Sequence, residues 1–341
     1  MIKKISLKDI ALHVGVSTAL VSYVLNGKEK EARVGPAIAK KIKKAALDLN
    51  YQPNFIARSL KSGKTNTIGF IVADISNPFF SNLARIVEDE AKKLGYTVIF
   101  GSSDEQADKS ASLISTFKNR QVDGLIIAPA ENTQNQIKIL QNQNFPFVLI
   151  DRFFPSVKAN SIRTNNYGAA FEATSHLIKS GYKKIAMLAY ETSLYHMQER
   201  IQGYKAALKE NKITFKNNWL CKVKHNTLEK DVASSISMLM QHKEVDSFLF
   251  ATNTLAVEGL KQINKKGLKV PDDVGIVAFD EPDAFDLFYS PVTYIKQNIY
   301  EIGKQAVKLL LLNKDQGIKP ITEVVVETKL IIRRSSKRKG N

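Results

Sequence analysis

The sequence of 341 residues contains one cysteine, Cys221, and no long apolar run. A single cysteine excludes an internal disulfide framework and is typical of a reducing compartment. No run approaches the roughly 18 consecutive apolar residues that span a bilayer. The first residues, MIKKISLKDIALHVG, lack the uninterrupted apolar stretch of a signal peptide. We therefore expect a soluble, cytoplasmic protein with no membrane partner.

Motifs of catalysis and metal binding are also missing. The chain has no GxGxxG after a strand pattern, no phosphate-binding GxxxxGKS or GxxxxGKT, no HExxH and no GxSxG. Its five histidines show no metal-ligand spacing. The sequence therefore predicts a protein that is not an enzyme and that uses no cofactor or metal.

Positive charge is abundant and unevenly distributed. The formal net charge is +17, and residues 1–64 alone contain 13 Lys and Arg against 4 Asp and Glu. A basic N-terminal module on a nearly neutral body indicates a polyanion bound at that end of the chain. The basic tail RRSSKRKGN at 333–341 is instead expected to be a disordered, solvated end.

The stretch SLKDIALHVGVSTALVSYVLNG, which begins at Ser6, predicts two short helices joined by a tight turn. Ser6 and Asp9 have the spacing of a capping box, so the first helix begins directly after Ser6. Gly15 suits the left-handed end of that helix, and Ser17 caps the second.

A third helix is predicted over 36–49, where Pro36 suits the first turn and apolar residues recur at helical spacing. Because helices this short are unstable alone, the three must form one compact unit. Such a unit, with a glycine turn between its first two helices, is a helix-turn-helix, whose second helix fits a major groove roughly 12 Å wide. A small helical packing domain is the alternative.

The segment YQPNFIARSLKSGKTNT at 51–67 has the composition of a domain boundary. Asn54 is a suitable cap for a two-turn helix over 55–62. A helix of two turns is mostly unfolded by itself, so a flexible linker is the alternative.

From residue 66 the pattern changes to short continuous apolar runs such as TIGFIVAD, VDGLIIAP and FVLID. Such runs are typical of parallel strands buried on both faces. Helical stretches alternate with them, and the alternation begins again after about residue 164. The body is therefore predicted to be two doubly wound α/β lobes that form a hinged clamp, with a ligand at the carboxyl ends of the strands between them.

Polar side chains stand where several predicted strands end. Asp74 follows GFIVA, Asp151 and Arg152 follow FVLI, and Asp280 follows GIVAF. Carboxylates and arginine suit sugar hydroxyls because each forms two directional hydrogen bonds to a vicinal diol.

Phe79 and Phe80 are candidates for the apolar floor beneath a sugar or purine ring. Alternatives stay open for these residues: the two rings can belong to the core, and Asp74 and Asp280 can cap helices.

The motifs SLKDIALHVGVSTALVSYVLNG and LNYQPNFIARSLKSGKTNTIGFIVADISNPFF, in this order, resemble the lactose/purine repressor (LacI/GalR) family of bacterial transcription factors. The resemblance extends over essentially the whole chain. It implies an N-terminal all-α helix-turn-helix DNA-binding domain and an α/β two-lobe sensor domain similar to periplasmic binding proteins, with doubly wound parallel sheets.

The predicted domains are a helix-turn-helix at 1–52, a hinge helix and linker at 53–65, a two-lobe effector-binding and dimerisation domain at 66–333, and a basic tail at 334–341. The first lobe is expected over 66–163 and 295–322, and the second over 164–292 and 323–333.

By the same resemblance, the helix that begins near Thr18 reads the major groove of the operator, and the hinge helix folds when two subunits sit together on DNA. Leu60 matches a residue wedged into the central base step of the minor groove, and Arg58 and Lys61 would lie beside phosphates. Tyr23 departs from the family, which often has arginine there, the usual reader of guanine. The implied DNA-binding residues are Ser6, Ser17, Thr18, Ala19, Ser22, Tyr23, Asn26, Tyr51, Asn54, Ala57, Arg58, Leu60 and Lys61.

The resemblance also implies effector contacts from Arg200 and Asn253, in addition to Asp151 and Asp280, and places His196 where a polar contact is common. Departures beside Asn253 and Asp280 leave the identity of the ligand open. The predicted effector-binding residues are Asp74, Phe79, Phe80, Asp151, Arg152, His196, Arg200, Asn253 and Asp280.

We therefore predict a nucleoid-associated, sequence-specific regulator of transcription. It would be a repressor that binds double-stranded, near-palindromic operator DNA as a homodimer and responds to a small-molecule effector, a sugar or sugar derivative. The polar tail offers no leucine heptad for a tetramer. Two alternatives are a regulator of the same fold controlled by a protein co-regulator, as in the family's catabolite-control branch, and a solute-binding transport protein. The helix-turn-helix and the missing signal peptide argue against the second.

Overall fold

The structure, a computed structural model, describes residues 5–52, 63–241, 244–315 and 320–338. The chain divides into two compact units, Met1–Thr65 and Asn66–Asn341. The expected hinge helix lies outside the described residues, and with it the predicted DNA contacts Asn54, Ala57, Arg58, Leu60 and Lys61.

The first unit contains the three helices α1 Leu7–Val14, α2 Thr18–Leu25 and α3 Pro36–Asp48. Ser6 and Asp9 form the predicted capping box, in which Oδ2 of Asp9 accepts a hydrogen bond from the backbone of Ser6 at 2.8 Å. Gly15 ends α1 with a φ of 77°, in the left-handed region that favours glycine. The three predicted helices are confirmed, and their bounds agree to within a residue.

The core of the first unit lies between its three helices. Ile10, Val21, Val24 and Ile42 are completely or almost completely buried there. Helices of this length are stabilised by burial of one apolar face rather than by intrinsic propensity, and their opposite faces are exposed to solvent.

Within the described chain no single helix is long and apolar enough to cross a membrane. Helices α1 and α2 reach the required length and composition only when they are counted together, and the pair is bent by 108°.

In the described part of the second unit, the strands form two sheets. The strands are β1 Thr67–Val72, β2 Thr97–Ser102, β3 Leu125–Ile127, β4 Phe147–Ile150, β5 Ser161–Thr164, β6 Ile185–Tyr190, β7 Leu220–Val223, β8 Ser247–Phe250, β9 Gly275–Phe279, β10 Thr293–Gln297, β11 Glu323–Val326 and β12 Thr328–Ile331. The first sheet has the order β11-β5-β4-β3-β1-β2, with parallel neighbours throughout. The second has the order β12-β10-β9-β8-β6-β7 and is parallel except for the antiparallel pair of β10 and β12.

Helices alternate with the strands and cover both sheets. They are α4 Pro78–Lys93, α5 Ala107–Asn119, α6 Gln134–Asn142, α7 Asn166–Lys179, α8 Tyr195–Glu210, α9 Leu228–Gln241, α10 Asn253–Lys265, α11 Ala284–Leu287 and α12 Ile299–Asp315. Central strand residues such as Phe70, Ile126, Phe248 and Phe279 are completely buried, as expected of strands covered on both faces. The predicted doubly wound architecture of two lobes is confirmed.

Two of the predicted lobe boundaries are wrong. Strand β10 belongs entirely to the second sheet, although the first lobe was expected to resume at residue 295. Strand β11 belongs to the first sheet, where Glu323 pairs with Ser161, although the second lobe was expected to resume at 323. The chain therefore leaves the second sheet after β10, adds β11 to the first sheet and returns to the second sheet with β12.

The prediction of a disordered tail is also wrong over the described residues. A short 3-10 turn forms at Arg334–Ser336, and Ser335 and Ser336 are completely buried. Oγ of Ser335 donates a hydrogen bond to the carbonyl of Ile276 at 2.7 Å, and Nη1 of Arg338 donates to the carbonyl of Gly181 at 2.9 Å. Small serines can be buried when their hydroxyls are hydrogen-bonded, so a polar composition alone does not exclude packing.

Candidate functional site

One face of α2 carries the side chains that were predicted to contact DNA. Thr18, Ala19 and Tyr23 are exposed, Tyr23 to 46%, while Ser22 beside them is half-buried. They occupy the side of the helix opposite to the buried Val21. The structure therefore brings these four residues together on one accessible helix face.

The other described DNA-binding candidates also have local structural roles. Ser6 and Ser17 cap α1 and α2 with their hydroxyls. The side-chain amide of Asn26 donates to the carbonyl of Ser22 at 2.7 Å and closes the last turn of α2. Tyr51 is half-buried against the core of the first unit.

Exposed basic side chains surround these helices. The exposed basic residues of the first unit include Lys8, Lys28, Lys30, Arg33, Lys40, Lys41, Lys43 and Lys44. Two of them form surface ion pairs, Lys28 with Glu31 at 3.3 Å and Lys43 with Glu29 at 2.5 Å. Pairs of this kind contribute little, so the surface keeps the positive character that phosphate binding requires.

In the second unit, the predicted effector residues meet at the carboxyl ends of the strands of both lobes. Asp151 and Arg152 follow β4 of the first lobe, whereas Asn253 and Asp280 follow β8 and β9 of the second. Arg200, on α8, interacts electrostatically with both Asp151 and Asp280. The side chains of the two lobes therefore form one largely buried cluster, which we call the effector cleft after the role that the sequence predicts for it.

Arg200 is held rigidly in this cleft. It is 3% exposed, and its guanidinium lies over the ring of Phe279 with 4.1 Å from Cζ to the ring centroid. Nε donates to Oδ1 of Asn166 at 2.8 Å, and Nη1 donates to the carbonyl of Ala251 at 2.5 Å. These contacts orient the guanidinium toward the two aspartates.

Both aspartates are harder to ionise than free carboxyl groups, because they are removed from water. Burial raises the pKa of Asp151 to about 6, against the opposing effect of Arg152 and Arg200. Burial also raises the pKa of Asp280, although Arg200 and a hydrogen bond from Nε2 of Gln297 at 2.6 Å favour its ionised form. Carboxyl groups with raised pKa values are common at functional sites, where burial and neighbouring charges are arranged to shift them.

Arg152 forms an ion pair that the sequence did not reveal. Its Nη1 and Nη2 lie 2.6 Å from Oε2 and Oε1 of Glu105, respectively, in a bidentate pair. Glu105 lies 47 residues earlier, in the loop after β2, and no motif marks it. What distinguishes Glu105 is visible only in the structure: Asp104 and Glu105 both have positive φ values, 49° and 59°, which are uncommon for residues other than glycine.

His196 is buried near the two arginines of the cleft and has a ring nitrogen without a partner. The residue is 6% exposed, and its Nδ1 has no hydrogen-bond partner among the described residues. Burial and the positive charges of Arg152 and Arg200 lower the pKa of His196 well below its usual value, so the ring is neutral at pH 7. A neutral ring with an unpaired nitrogen can exchange a hydrogen bond with a ligand hydroxyl.

The three remaining candidates are placed less centrally. Oδ1 of Asp74 accepts hydrogen bonds from the backbone and hydroxyl of Ser76, at 2.9 and 2.7 Å. Phe79 and Phe80 pack edge to face in the first-lobe core, and Cζ of Arg152 lies 5.6 Å from the centroid of Phe80. Phe80 therefore supports a side chain of the cleft, while Phe79 is part of the core.

An aromatic pair beside the cleft was not predicted. Tyr190, at the end of β6, stacks on His225 with 3.7 Å between ring centroids and 10° between planes. Burial raises the pKa of Tyr190 to about 12, and its surroundings include the charges of Glu105 and Asp74. The two residues are 35 positions apart in the sequence, and no motif in the sequence indicates that their rings are in contact.

No group of three or more His, Cys, Asp or Glu side chains among the described residues could hold a metal ion.

Comparison with known proteins gives consistent matches over the chain. The family described as "Periplasmic binding proteins and sugar binding domain of LacI family" matches residues 65–326, and "Bacterial regulatory proteins, lacI family" matches residues 6–54. The HTH-type transcriptional repressor PurR of Haemophilus influenzae (strain PittEE) is 30% identical over 97% of this chain and 98% of its own length. The ribose operon repressor of Haemophilus influenzae (strain ATCC 51907 / DSM 11121 / KW20 / Rd) is 31% identical over 97% and 98%.

Among solved structures, the lac repressor dimer bound to operator and the anti-inducer ONPF aligns with 98% of this chain and 99% of its own, with a TM-score of 0.85. At 23% identity, this likeness shows a shared fold from the helix-turn-helix through both lobes.

Proposed function

We propose that this protein, which belongs to the LacI family of bacterial regulatory proteins, represses transcription as a homodimer on a near-palindromic operator and responds to a sugar or sugar derivative. The chain is a DNA-binding transcriptional regulator, as its helix-turn-helix and its repressor relatives indicate. The subunit arrangement, the operator symmetry and the class of effector are the parts that we propose.

The observation that carries the choice of effector is the buried polar cluster between the lobes. Asp151, Arg200 and Asp280 are brought together at strand ends, where ligands bind in doubly wound sheets. Nδ1 of His196 is buried beside them without a partner, although buried polar atoms are nearly always hydrogen-bonded. A ligand rich in hydroxyl groups would satisfy all of these groups at once. The name of the ribose operon repressor and the description of the matching sugar-binding domain support the same class.

The effector would act through the relative position of the lobes. Both lobes contribute to the cleft, so a ligand in it has different contact energies in different lobe arrangements. It shifts the population of these arrangements by the difference, typically about 1–3 kcal/mol in allosteric proteins. Because a dimer presents two recognition helices at a fixed spacing, a change in lobe position alters the fit to both halves of an operator.

The first experiment identifies the operator and the effector together. Genomic DNA fragments retained by the purified protein are sequenced, and the enriched motif is then used in fluorescence anisotropy with a panel of sugars. We expect a near-palindromic motif whose affinity for the protein changes with one sugar or a close group of sugars. Light scattering is expected to give twice the chain mass of 38.1 kDa. An asymmetric motif or a monomer bound to DNA would contradict the proposed dimer, and operator binding indifferent to every sugar would contradict the proposed effector class.

A further inference from the structure

The guanidinium of Arg152 is paired with the carboxylate of Glu105 through both of its Nη atoms and lies near that of Asp151, although Nε has no hydrogen-bond partner among the described residues. Nη1 and Nη2 each lie 2.6 Å from an oxygen of Glu105, and Nε lies 3.4 Å from Oδ2 of Asp151. Nη1 also donates to the carbonyl of Pro129 at 3.3 Å. Arg152 is only 8% exposed, so its side chain is compensated by two acidic residues within the cleft rather than by solvent. A bidentate pair of this geometry leaves no free fork for a phosphate or carboxylate of a ligand.

The fold holds Glu105 in this position at a cost. Asp104 and Glu105 are consecutive non-glycine residues with φ values of 49° and 59°. Two left-handed residues in succession are unfavourable, and such strain concentrates at functional sites. The backbone of Glu105 donates to the carbonyl of Ala73 at 3.0 Å, which ties the loop after β2 to the end of β1. The strained loop thus delivers one carboxylate to the neighbourhood of Arg152.

The remaining charges of the cleft are no more favourable to an anion. Arg200, the second buried arginine of the cleft, is engaged by Asn166 and by the carbonyl of Ala251, and interacts with the carboxylates of Asp151 and Asp280. Together with Glu105, three carboxylates therefore face two arginines. His196 adds no positive charge at pH 7, because burial and the neighbouring arginines lower its pKa. An anionic ligand would therefore find both arginines of this buried space already engaged, and a buried unpaired charge is costly.

We propose that Glu105 is a specificity residue of the effector cleft: by occupying the guanidinium of Arg152, it excludes phosphorylated and acidic sugars and leaves a site for an uncharged one. The hydroxyls of an uncharged sugar find acceptors in the carboxylates of Asp151 and Asp280 and a partner in Nδ1 of His196. This inference rests on the proposed sugar effector, and it specifies the charge that the effector carries.

The experiment uses the full-length protein and chemically matched pairs of probes. Ribose and ribose 5-phosphate, and glucose, glucose 6-phosphate and gluconate, are titrated by calorimetry and by thermal shift. We expect the uncharged member of a binding pair to bind at least tenfold more tightly than its anionic counterpart. Equal or tighter binding of the anionic member to the wild-type protein overturns the inference, whatever the behaviour of any variant.

The variant Glu105→Gln tests the residue itself. It removes the carboxylate but keeps a side chain of similar size, so the guanidinium of Arg152 becomes available. We expect the ratio of uncharged to phosphorylated affinity to fall at least tenfold. The control Glu88→Gln removes one negative charge from α4 of the same lobe, where the side chain is 45% exposed and pairs with Arg85. It is expected to leave the ratio unchanged, which separates a local effect from one of net charge.

The outcomes distinguish this inference from the proposed function. An unchanged ratio in a folded Glu105→Gln protein shows that Glu105 does not select the ligand, while the sugar effector stands. If no sugar of these pairs or of the wider panel, charged or uncharged, binds or shifts the melting temperature, the sugar effector itself is wrong, and the inference about its charge is overturned with it.

Discussion

The side-chain amide of Asn253 in the second lobe donates a hydrogen bond to Oδ1 of Asn77 in the first lobe, with 2.9 Å between the two atoms. A second hydrogen bond joins the lobes, in which the backbone of Ser193 donates to Oε1 of Glu131 at 2.6 Å. Directly after Ser193, Leu194 enters the hydrophobic core of the first lobe. Each of these contacts contributes to the free energy of this lobe arrangement, and each can be removed separately.

We expect Leu194→Ala to loosen the contact between the lobes. Leu194 is 4% exposed, and truncation of a buried leucine to alanine costs about 2–5 kcal/mol. Urea unfolding measures the loss, and small-angle scattering measures the accompanying spread of lobe positions. The matched control is Leu287→Ala, because Leu287 is 86% exposed and its truncation is expected to change the free energy of unfolding by less than about 0.5 kcal/mol. Equal effects of the two substitutions would show that Leu194 does not hold the lobes.

Asp151→Asn should stabilise the protein at pH 7 but not at pH 4. Between pH 4 and about pH 6 most of the folded protein retains a proton on Asp151, whose pKa burial raises to about 6, while the same carboxyl in the unfolded chain has largely lost its proton. The folded state therefore binds more protons than the unfolded state, and the stability of the wild-type protein falls as the pH rises through this range. A shift of about two pKa units corresponds to a loss of up to about 3 kcal/mol, which the asparagine avoids.

Chemical unfolding at a series of pH values tests this expectation. Asp89→Asn serves as the control, because Asp89 is an exposed carboxylate on α4 and its replacement is expected to have a small effect at every pH. If Asp151→Asn raises the free energy of unfolding equally at pH 4 and pH 7, ionisation of the buried Asp151 carboxyl does not destabilise the folded protein.

Tyr23→Arg should change which base is preferred at one position in each half of the operator. Tyr23 lies on the accessible face of α2, and arginine there can make a bidentate contact to guanine that is worth about 1–3 kcal/mol. Selection of binding sites from random DNA measures the shift. Leu12→Arg adds the same charge at an exposed position of α1 and is expected to raise affinity without changing the selected motif. A motif that Tyr23→Arg leaves unchanged would show that residue 23 does not face the bases.

Local signals made the three described helices of the first unit predictable to within a residue. The capping hydroxyls of Ser6 and Ser17 and the left-handed Gly15 each act on neighbouring backbone, so their spacing in the sequence is sufficient to locate α1 and α2. The buried strands of the lobes were recognised for a similar reason, since a continuous apolar run already implies cover on both faces.

Features that depend on contacts between distant segments were missed. The run EVVVETKLII at 323–332 was assigned as a whole to the second lobe, but its halves pair with β5 of one lobe and β10 of the other, and these partners lie far away along the chain. Glu105 was missed because the loop after β2 and the end of β4 are neighbours only in the folded protein. Ser335 and Ser336 were assigned to solvent from their polarity, whereas hydrogen bonds with residues such as Ile276 and Thr293 allow their burial.

The most direct test of the whole account is operator binding by the wild-type protein and by Arg200→Ala as a function of effector concentration. Arg200 lies in the effector cleft of the second unit and is separate from the helix-turn-helix, so we expect the variant to bind the operator without effector as the wild-type protein does. Loss of a charge-assisted hydrogen bond costs about 1.5–3 kcal/mol, so the variant should need roughly ten- to a hundredfold more effector for the same change in operator affinity. An Arg200→Ala protein that melts at a lower temperature but keeps the wild-type response to the effector would contradict the account, because Arg200 would then only brace the lobe.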